Sequence, residues 1–171
     1  MKVYGVIGWK NSGKTGLMER LIAEIRARGL SVSSIKHAHH AFDIDQPGKD
    51  SFRHRQAGAG EVLLASRHRW VLMHENDAGD EPSLALLLAR LSPVDLVLVE
   101  GYKRDTHPKI EAHRAATGQP LIAPDDPTVR AVASDTVQGL PAMGWHGPAF
   151  DLDDAGGIAD FILSDLGLRE A

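Results

Sequence analysis

The 171-residue sequence predicts an α/β fold, a three-layer sandwich around a mostly parallel sheet with one antiparallel hairpin. Three observations predict it. Short apolar runs rich in branched residues alternate with stretches whose apolar positions recur at helical spacing. The first run, Val3-Tyr4-Gly5-Val6-Ile7, passes through the octet Gly8-Trp9-Lys10-Asn11-Ser12-Gly13-Lys14-Thr15 into an amphipathic segment. A later run, Leu96-Val97-Leu98-Val99, stops in Glu100 and Gly101. Open α/β sheets hold their ligands beyond such strand ends.

Taken in order, residues 3–7 carry no polar interruption and read as a buried parallel strand. The octet fits G-x-x-x-x-G-K-[ST] at every required position, in the strand–loop–helix setting the motif demands. The backbone N–H groups of such a loop surround a polyphosphate, its lysine reaches the terminal phosphates, and its hydroxyl holds magnesium. Gly8, Lys10, Asn11, Ser12, Gly13, Lys14 and Thr15 are therefore the candidate phosphate-binding residues, with Lys14 also catalytic and Thr15 also a magnesium ligand. Leu17, Met18, Leu21, Ile22 and Ile25 mark the helix that follows, and Gly29 ends it. Its N-terminus presents free N–H groups and a positive dipole end to the phosphates. The core is thus P-loop NTPase-like.

Residues 31–36 make a second strand, 49–59 a helix, and 62–65 with 70–74 an antiparallel pair joined by Ser66-Arg67-His68-Arg69. Pro82 opens a helix with Leu84, Leu87, Leu88 and Leu91 on one face. Residues 95–99 form a buried strand, and 131–133 and 142–144 two shorter ones. Ile158, Phe161, Ile162 and Leu166 mark a closing helix. No repeat, linker or low-complexity tract interrupts this pattern, so residues 1–171 read as a single nucleotide-binding domain.

Composition narrows the class. A 43% hydrophobic content supplies a substantial core, and the absence of cysteine excludes disulfides, thiolate metal sites and cysteine nucleophiles. A net charge of −4 argues against a chain devoted to nucleic acid. No apolar run approaches the roughly 20 residues of a membrane span, and the N-terminus enters the first strand without a signal-peptide pattern. The expected setting is the cytoplasm, with no nucleic-acid or membrane partner.

Three further groups carry chemistry. Glu100 should face the same crevice as Lys14 and serve magnesium or the attacking water, in preference to being a solvated strand-end acid, although aspartate is commoner at this position. The segment from Lys36 to Ser51 holds His37, His39 and His40 with Asp43 and Asp45. It reads as a mobile loop that brings Asp43 or Asp45 to magnesium or the γ-phosphate, with Asp45 also a catalytic candidate, in preference to a transition-metal site. Lys49, Arg53, Arg55, Arg67 and Arg69 make a basic cluster that can hold an anionic partner or be solvated surface. Asp135 ends a late strand, and its carboxylate can accept from the N1–H and 2-amino edge of guanine, which adenine lacks; a helix N-cap is the alternative role.

The stretches "GWKNSGKT", "IKHAHHAFDIDQPGKDSFRHRQAGA", "DLVLVEGYKRDTHPKIE" and "IAPDDPTVRAVASD" resemble, in order and spacing, the molybdopterin-guanine dinucleotide biosynthesis protein B family. The resemblance runs from Lys2 to about Asp135. It implies a homodimer that binds GTP with Mg2+, hydrolyses it slowly at most, and assists the molybdenum cofactor guanylyltransferase that joins GMP to molybdopterin. Whether molybdopterin itself touches the chain stays open. By resemblance Gly13, Lys14 and Thr15 serve phosphate and magnesium, Glu100 the acidic site, and the Asp43–Asp45 loop the nucleotide. Relatives with a second signature lysine place it directly after the first loop glycine, where this chain has Trp9, so a trans-acting lysine is not carried over to Lys10. Two rivals share the loop: a GTPase that delivers nickel, which would use the histidines, and a small kinase or ligase of the dethiobiotin synthetase type.

Overall fold

The structure, a computed structural model, describes residues 1–38, 43–76 and 81–168. Its elements in chain order are β1 (Lys2–Ile7), α1 (Lys14–Ala27), β2 (Val32–Lys36), α2 (Asp50–Gln56), β3 (Glu61–Ala65), β4 (Trp70–His74), α3 (Leu84–Arg90), β5 (Leu96–Glu100), β6 (Lys109–His113), β7 (Val129–Ser134), β8 (Ala149–Asp151) and α4 (Ala155–Asp165). They fall into two compact units, Met1–His37 with Ala89–Ala171, and Ala38–Leu88.

The larger unit is a six-stranded parallel sheet in the order β2-β5-β1-β6-β7-β8. One face is covered by α1 and α4. Leu17, Met18, Leu21 and Ile25 of α1 meet Ile158, Ala159, Ile162 and Leu163 of α4 over Tyr4, Val6, Leu98 and Ile110, all buried. Fully burying such an aliphatic side chain is worth about 1.5–3 kcal/mol, so this cluster is the main stabilising mass of the unit. Helix α1 ends where Gly29 takes a φ of 81°, with its N–H donating to the Arg26 carbonyl. Helix α4 begins at Asp154, whose carboxylate accepts from the Gly157 N–H.

The opposite face is covered beside β6 by irregular chain. Strands β5 and β6 flank β1, and only residues 101–108 connect them, with no helix among them. Irregular chain leaves backbone groups that need partners, and β6 supplies them from within. Lys109, Glu111 and His113 are buried on that face. Lys109 Nζ donates to the carbonyls of Asp105 and His107 and to the Thr128 hydroxyl. The Glu111 carboxylate accepts from the N–H groups of Ile122 and Ala123 at 2.8–3.0 Å. The crossover lies so close to β1 that a β-carbon on Gly5 would stand 2.6 Å from His107 Nε2.

The smaller unit holds α2 and the antiparallel pair β3–β4, in register Leu63↔Leu72 and Ala65↔Trp70. One hairpin face is apolar and open: Leu63 is 59% exposed and Trp70 66%. Arg55 of α2 binds Asp43, Asp45 and Glu75 at once.

Most sequence expectations for elements hold, with four corrections. Residues 142–144 are not a strand; Pro141–Met143 is a 3-10 turn closed by Gly144 at a φ of 87°. Strands β6 and β8 were not foreseen. Helix α3 starts at Leu84 rather than at Pro82, and Leu91 lies beyond its end. Among the described residues no helix is long and apolar enough to cross a membrane.

Candidate nucleotide-binding site

The octet sits where the sequence places it, between the carboxyl end of β1 and the start of α1. Its backbone is committed to an open cradle: Gly8 has a φ of 142°, Asn11 of 64° and Gly13 of 94°. A side chain at Gly8 would meet the Ala112 carbonyl oxygen at 2.3 Å, so glycine is required there by space as well as by φ. No side chain caps α1, which leaves its first N–H groups for a ligand. Ser12 is 2% exposed and its hydroxyl has no hydrogen-bond partner. An orphan buried hydroxyl inside a glycine cradle fits an anion that completes it.

Lys14 folds back over the loop, Nζ donating to the Trp9 carbonyl at 2.6 Å. Partial burial holds its pKa below the ordinary lysine range; Glu100 works against that, and Lys103 and Lys36 add to it. Three ammonium groups and one carboxylate thus share the mouth of the loop. Glu100 reaches it because β5 pairs with β1 at Val6↔Glu100 and with β2 at Lys36↔Glu100. Its carboxylate is 12% exposed and lies 3.5 Å from Lys36 Nζ. Thr15, at the exposed start of α1, and Glu100 are the oxygen donors here, and a hard cation such as magnesium takes such ligands.

A cleft of about 510 Å³ opens on the β6 side of the loop, lined by Trp9, Lys10, Asn11, Arg114, Thr117 and Gln119. Arg114 packs against the start of α1, where a β-carbon at Gly13 would come 3.0 Å from its Nε. Asp135 does not cap the 3-10 turn that follows it, Val137–Gly139, but meets the first N–H of another, Ala115–Thr117. Its Oδ1 accepts from the Ala115 N–H at 2.9 Å and so fixes the turn that borders this cleft.

The structure therefore gathers Gly8, Lys10, Asn11, Ser12, Gly13, Lys14, Thr15 and Glu100 in the larger unit, with Asp135 bracing the cleft's far wall. Asp43 and Asp45 belong to the smaller unit. There Arg55 Nε and Nη2 grip both Asp45 oxygens, at 3.1 and 2.7 Å, and hold its carboxyl below the usual range. Arg55 is thus an internal clamp, not part of a basic surface for an anion. His37 stacks on Tyr102 with centroids 4.6 Å apart; His39 and His40 lie outside the described residues. Among the described residues no three His, Asp or Glu side chains group to hold a metal ion. Lys36, Lys103 and Arg114 are site residues that the sequence does not single out, although each lies at a strand's carboxyl end or within three residues of it, the one signal that flags them.

Comparison with known proteins agrees with this geometry. The family model of molybdopterin guanine dinucleotide synthesis protein B, MobB, matches residues 3–135. The molybdopterin-guanine dinucleotide biosynthesis adapter protein of Escherichia coli K12 is 40% identical over 158 residues, 91% of this chain and 87% of that one. The protein of the same name from Haemophilus influenzae is 44% identical over 160 residues, 92% of this chain and 85% of that one. The crystal structure of Bacillus subtilis MobB superposes with a TM-score of 0.70 at 26% identity, covering 97% of this chain and 98% of the other.

Proposed function

The chain belongs to the molybdopterin guanine dinucleotide synthesis protein B family, and from that premise we propose that it is a GTP-binding adapter of molybdenum cofactor biosynthesis. It would assist the guanylyltransferase that attaches GMP to molybdopterin. The observation that carries the nucleotide reading is the uncapped, glycine-cradled start of α1 with the orphan Ser12 hydroxyl inside it and Lys14 and Glu100 at its mouth. The names of the relatives favour this reading over nickel delivery or small-molecule phosphorylation.

In this reading the loop N–H groups and Ser12 bind phosphate oxygens, and Lys14 exchanges the Trp9 carbonyl for the terminal phosphates. Thr15 and Glu100 would hold Mg2+, which neutralises phosphate charge when bound. Asp135, whose Oδ2 makes no hydrogen bond among the described residues, reads the guanine edge. The protein acts in the cytoplasm as a homodimer, with the open Leu63–Trp70–Leu72 face of the hairpin as the apolar surface a second copy covers. Service of Asp43 or Asp45 to the nucleotide would cost its bond to Arg55, so GTP would remodel that clamp.

Titration of a fluorescent GTP analogue into wild-type and Lys14→Ala protein tests the nucleotide site. Affinity unchanged by the substitution would remove the reading. Capture of the guanylyltransferase from an extract of cells making molybdoenzymes, with and without GTP, tests the adapter role.

A further inference from the structure

Two cations rest on one residue of the loop. Lys14 Nζ donates to the Trp9 carbonyl, and Lys103 Nζ lies 4.3 Å from the centroid of the Trp9 ring. The ring is a fixed shelf, because its Nε1 donates to the Pro120 carbonyl at 2.8 Å. Lys103 makes no ion pair with a carboxylate among the described residues. Its contact there is a π face, a weaker partner than a phosphate oxygen, and the Glu111 carboxylate acts on it only through space.

The backbone delivers Lys103 to this place on purpose-built geometry. After Glu100 the chain turns through two left-handed residues, Gly101 at a φ of 101° and Tyr102 at 49°. A β-carbon on Gly101 would stand 2.7 Å from the His37 β-carbon, so no other residue makes that turn. A left-handed Tyr102 is unusual for a bulky residue, and strain of this kind gathers at functional sites. Below the turn, Lys109 holds the Asp105 and His107 carbonyls, which keeps the crossover from drifting.

We propose that Lys103 is a second phosphate-contacting lysine of the nucleotide site, held ready on the Trp9 ring, and that it favours the triphosphate over the diphosphate. The inference rests on the nucleotide reading above. Lys14 marks the end of the loop that meets the terminal phosphates. Burial lowers the pKa of both lysines, and the Lys103 charge, on the shared Trp9, repels Lys14 and lowers it further, while Glu111 works the other way on Lys103. An anion arriving between them relieves that repulsion. Because Lys14 meets the terminal phosphates, the charge that arrives beside both lysines is that of the terminal phosphate.

The test is calorimetric titration of Mg-GTP and Mg-GDP into wild type, Lys103→Met, Lys103→Arg and Lys14→Ala. Lys103→Met should weaken GTP about tenfold or more, as expected for a lost charge-assisted bond, and GDP less than about threefold. Lys103→Arg, which keeps the charge, should restore most of the GTP affinity. Equal losses for GTP and GDP, no loss for either, or no restoration by arginine would each overturn the proposal, provided Lys14→Ala still abolishes binding. If Lys14→Ala also leaves binding intact, the nucleotide reading itself falls. Melting of the ligand-free variants reports whether Lys103→Met folds; Lys103→Gln measured for the same GTP-to-GDP ratio decides the matter if it does not.

Discussion

Lys109→Met should destabilise the protein by about 2–4 kcal/mol. The side chain is fully buried, and methionine fills a similar volume, so the change removes the ammonium and little else. Three acceptors lose their donor: the Asp105 and His107 carbonyls and the Thr128 hydroxyl. Each bond from a charged donor is worth about 1.5–3 kcal/mol. Against that sum stands the relief from desolvating the lysine, several kcal/mol for a buried ion. The Asp126 carboxylate, 3.9 Å from Nζ, keeps the Thr128 N–H and hydroxyl and is 20% exposed, so it is not stranded as a bare buried charge. The balance is a loss, because two part-buried carbonyls of the 101–108 crossover lose their donor. Urea unfolding followed by circular dichroism measures it as a lower midpoint at unchanged slope. GTP affinity should fall with it, since Lys103 and the end of β5 hang on the same crossover. A midpoint shift equivalent to less than about 0.5 kcal/mol, within the range of an ordinary surface substitution, would refute the idea that this buried cation is what holds the irregular layer.

Asp135→Asn should narrow the preference for GTP over ATP by about tenfold, the value of one charge-assisted bond to guanine, without unfolding the Ala115 turn, because asparagine keeps the Oδ1 acceptor; competition titrations with ATP measure it. Both ring nitrogens of His107 are buried without a hydrogen bond, and burial first, then Lys109, lowers its pKa. The unfolded chain then binds the extra proton below about pH 6.5, so stability falls as pH drops through that value; His107→Leu should reduce the slope by up to about 1.4 kcal/mol per pH unit in pH-dependent urea melts. Trp70→Asp on the open hairpin face should convert the proposed homodimer to monomer in sedimentation velocity, with the fold retained; a wild type that sediments as a monomer would remove the dimer proposal.

The phosphate loop is legible in one dimension because its requirements are local. Gly8, Gly13, Lys14 and Thr15 must fall at set spacing on one turn of chain, so the spacing alone states them. Glu100 is nearly as legible, since an apolar run that ends in an acid says where a strand meets solvent. Strand β6 is not. Lys109, Glu111 and His113 look like the outward side of a loop, and nothing nearby in the sequence says otherwise. They are interior only because a helix-free crossover and the 121–123 turn lie over them and bring unpaired carbonyls and N–H groups that charged side chains can meet.

The same division runs through the site. The sequence by itself determined the fold class, the loop, its lysine and hydroxyl, and the family, all of which rest on contiguous patterns. Only the tertiary structure decided that Asp45 is gripped by Arg55, that Asp135 braces the Ala115 turn, and that Lys103 and Lys14 share Trp9. Each of those pairings joins residues five to 94 positions apart. A side chain's charge is written in the sequence, but the partner that neutralises it depends on which strand ends the sheet order sets side by side, and that order is fixed by burial of the apolar faces as a whole rather than by any one segment.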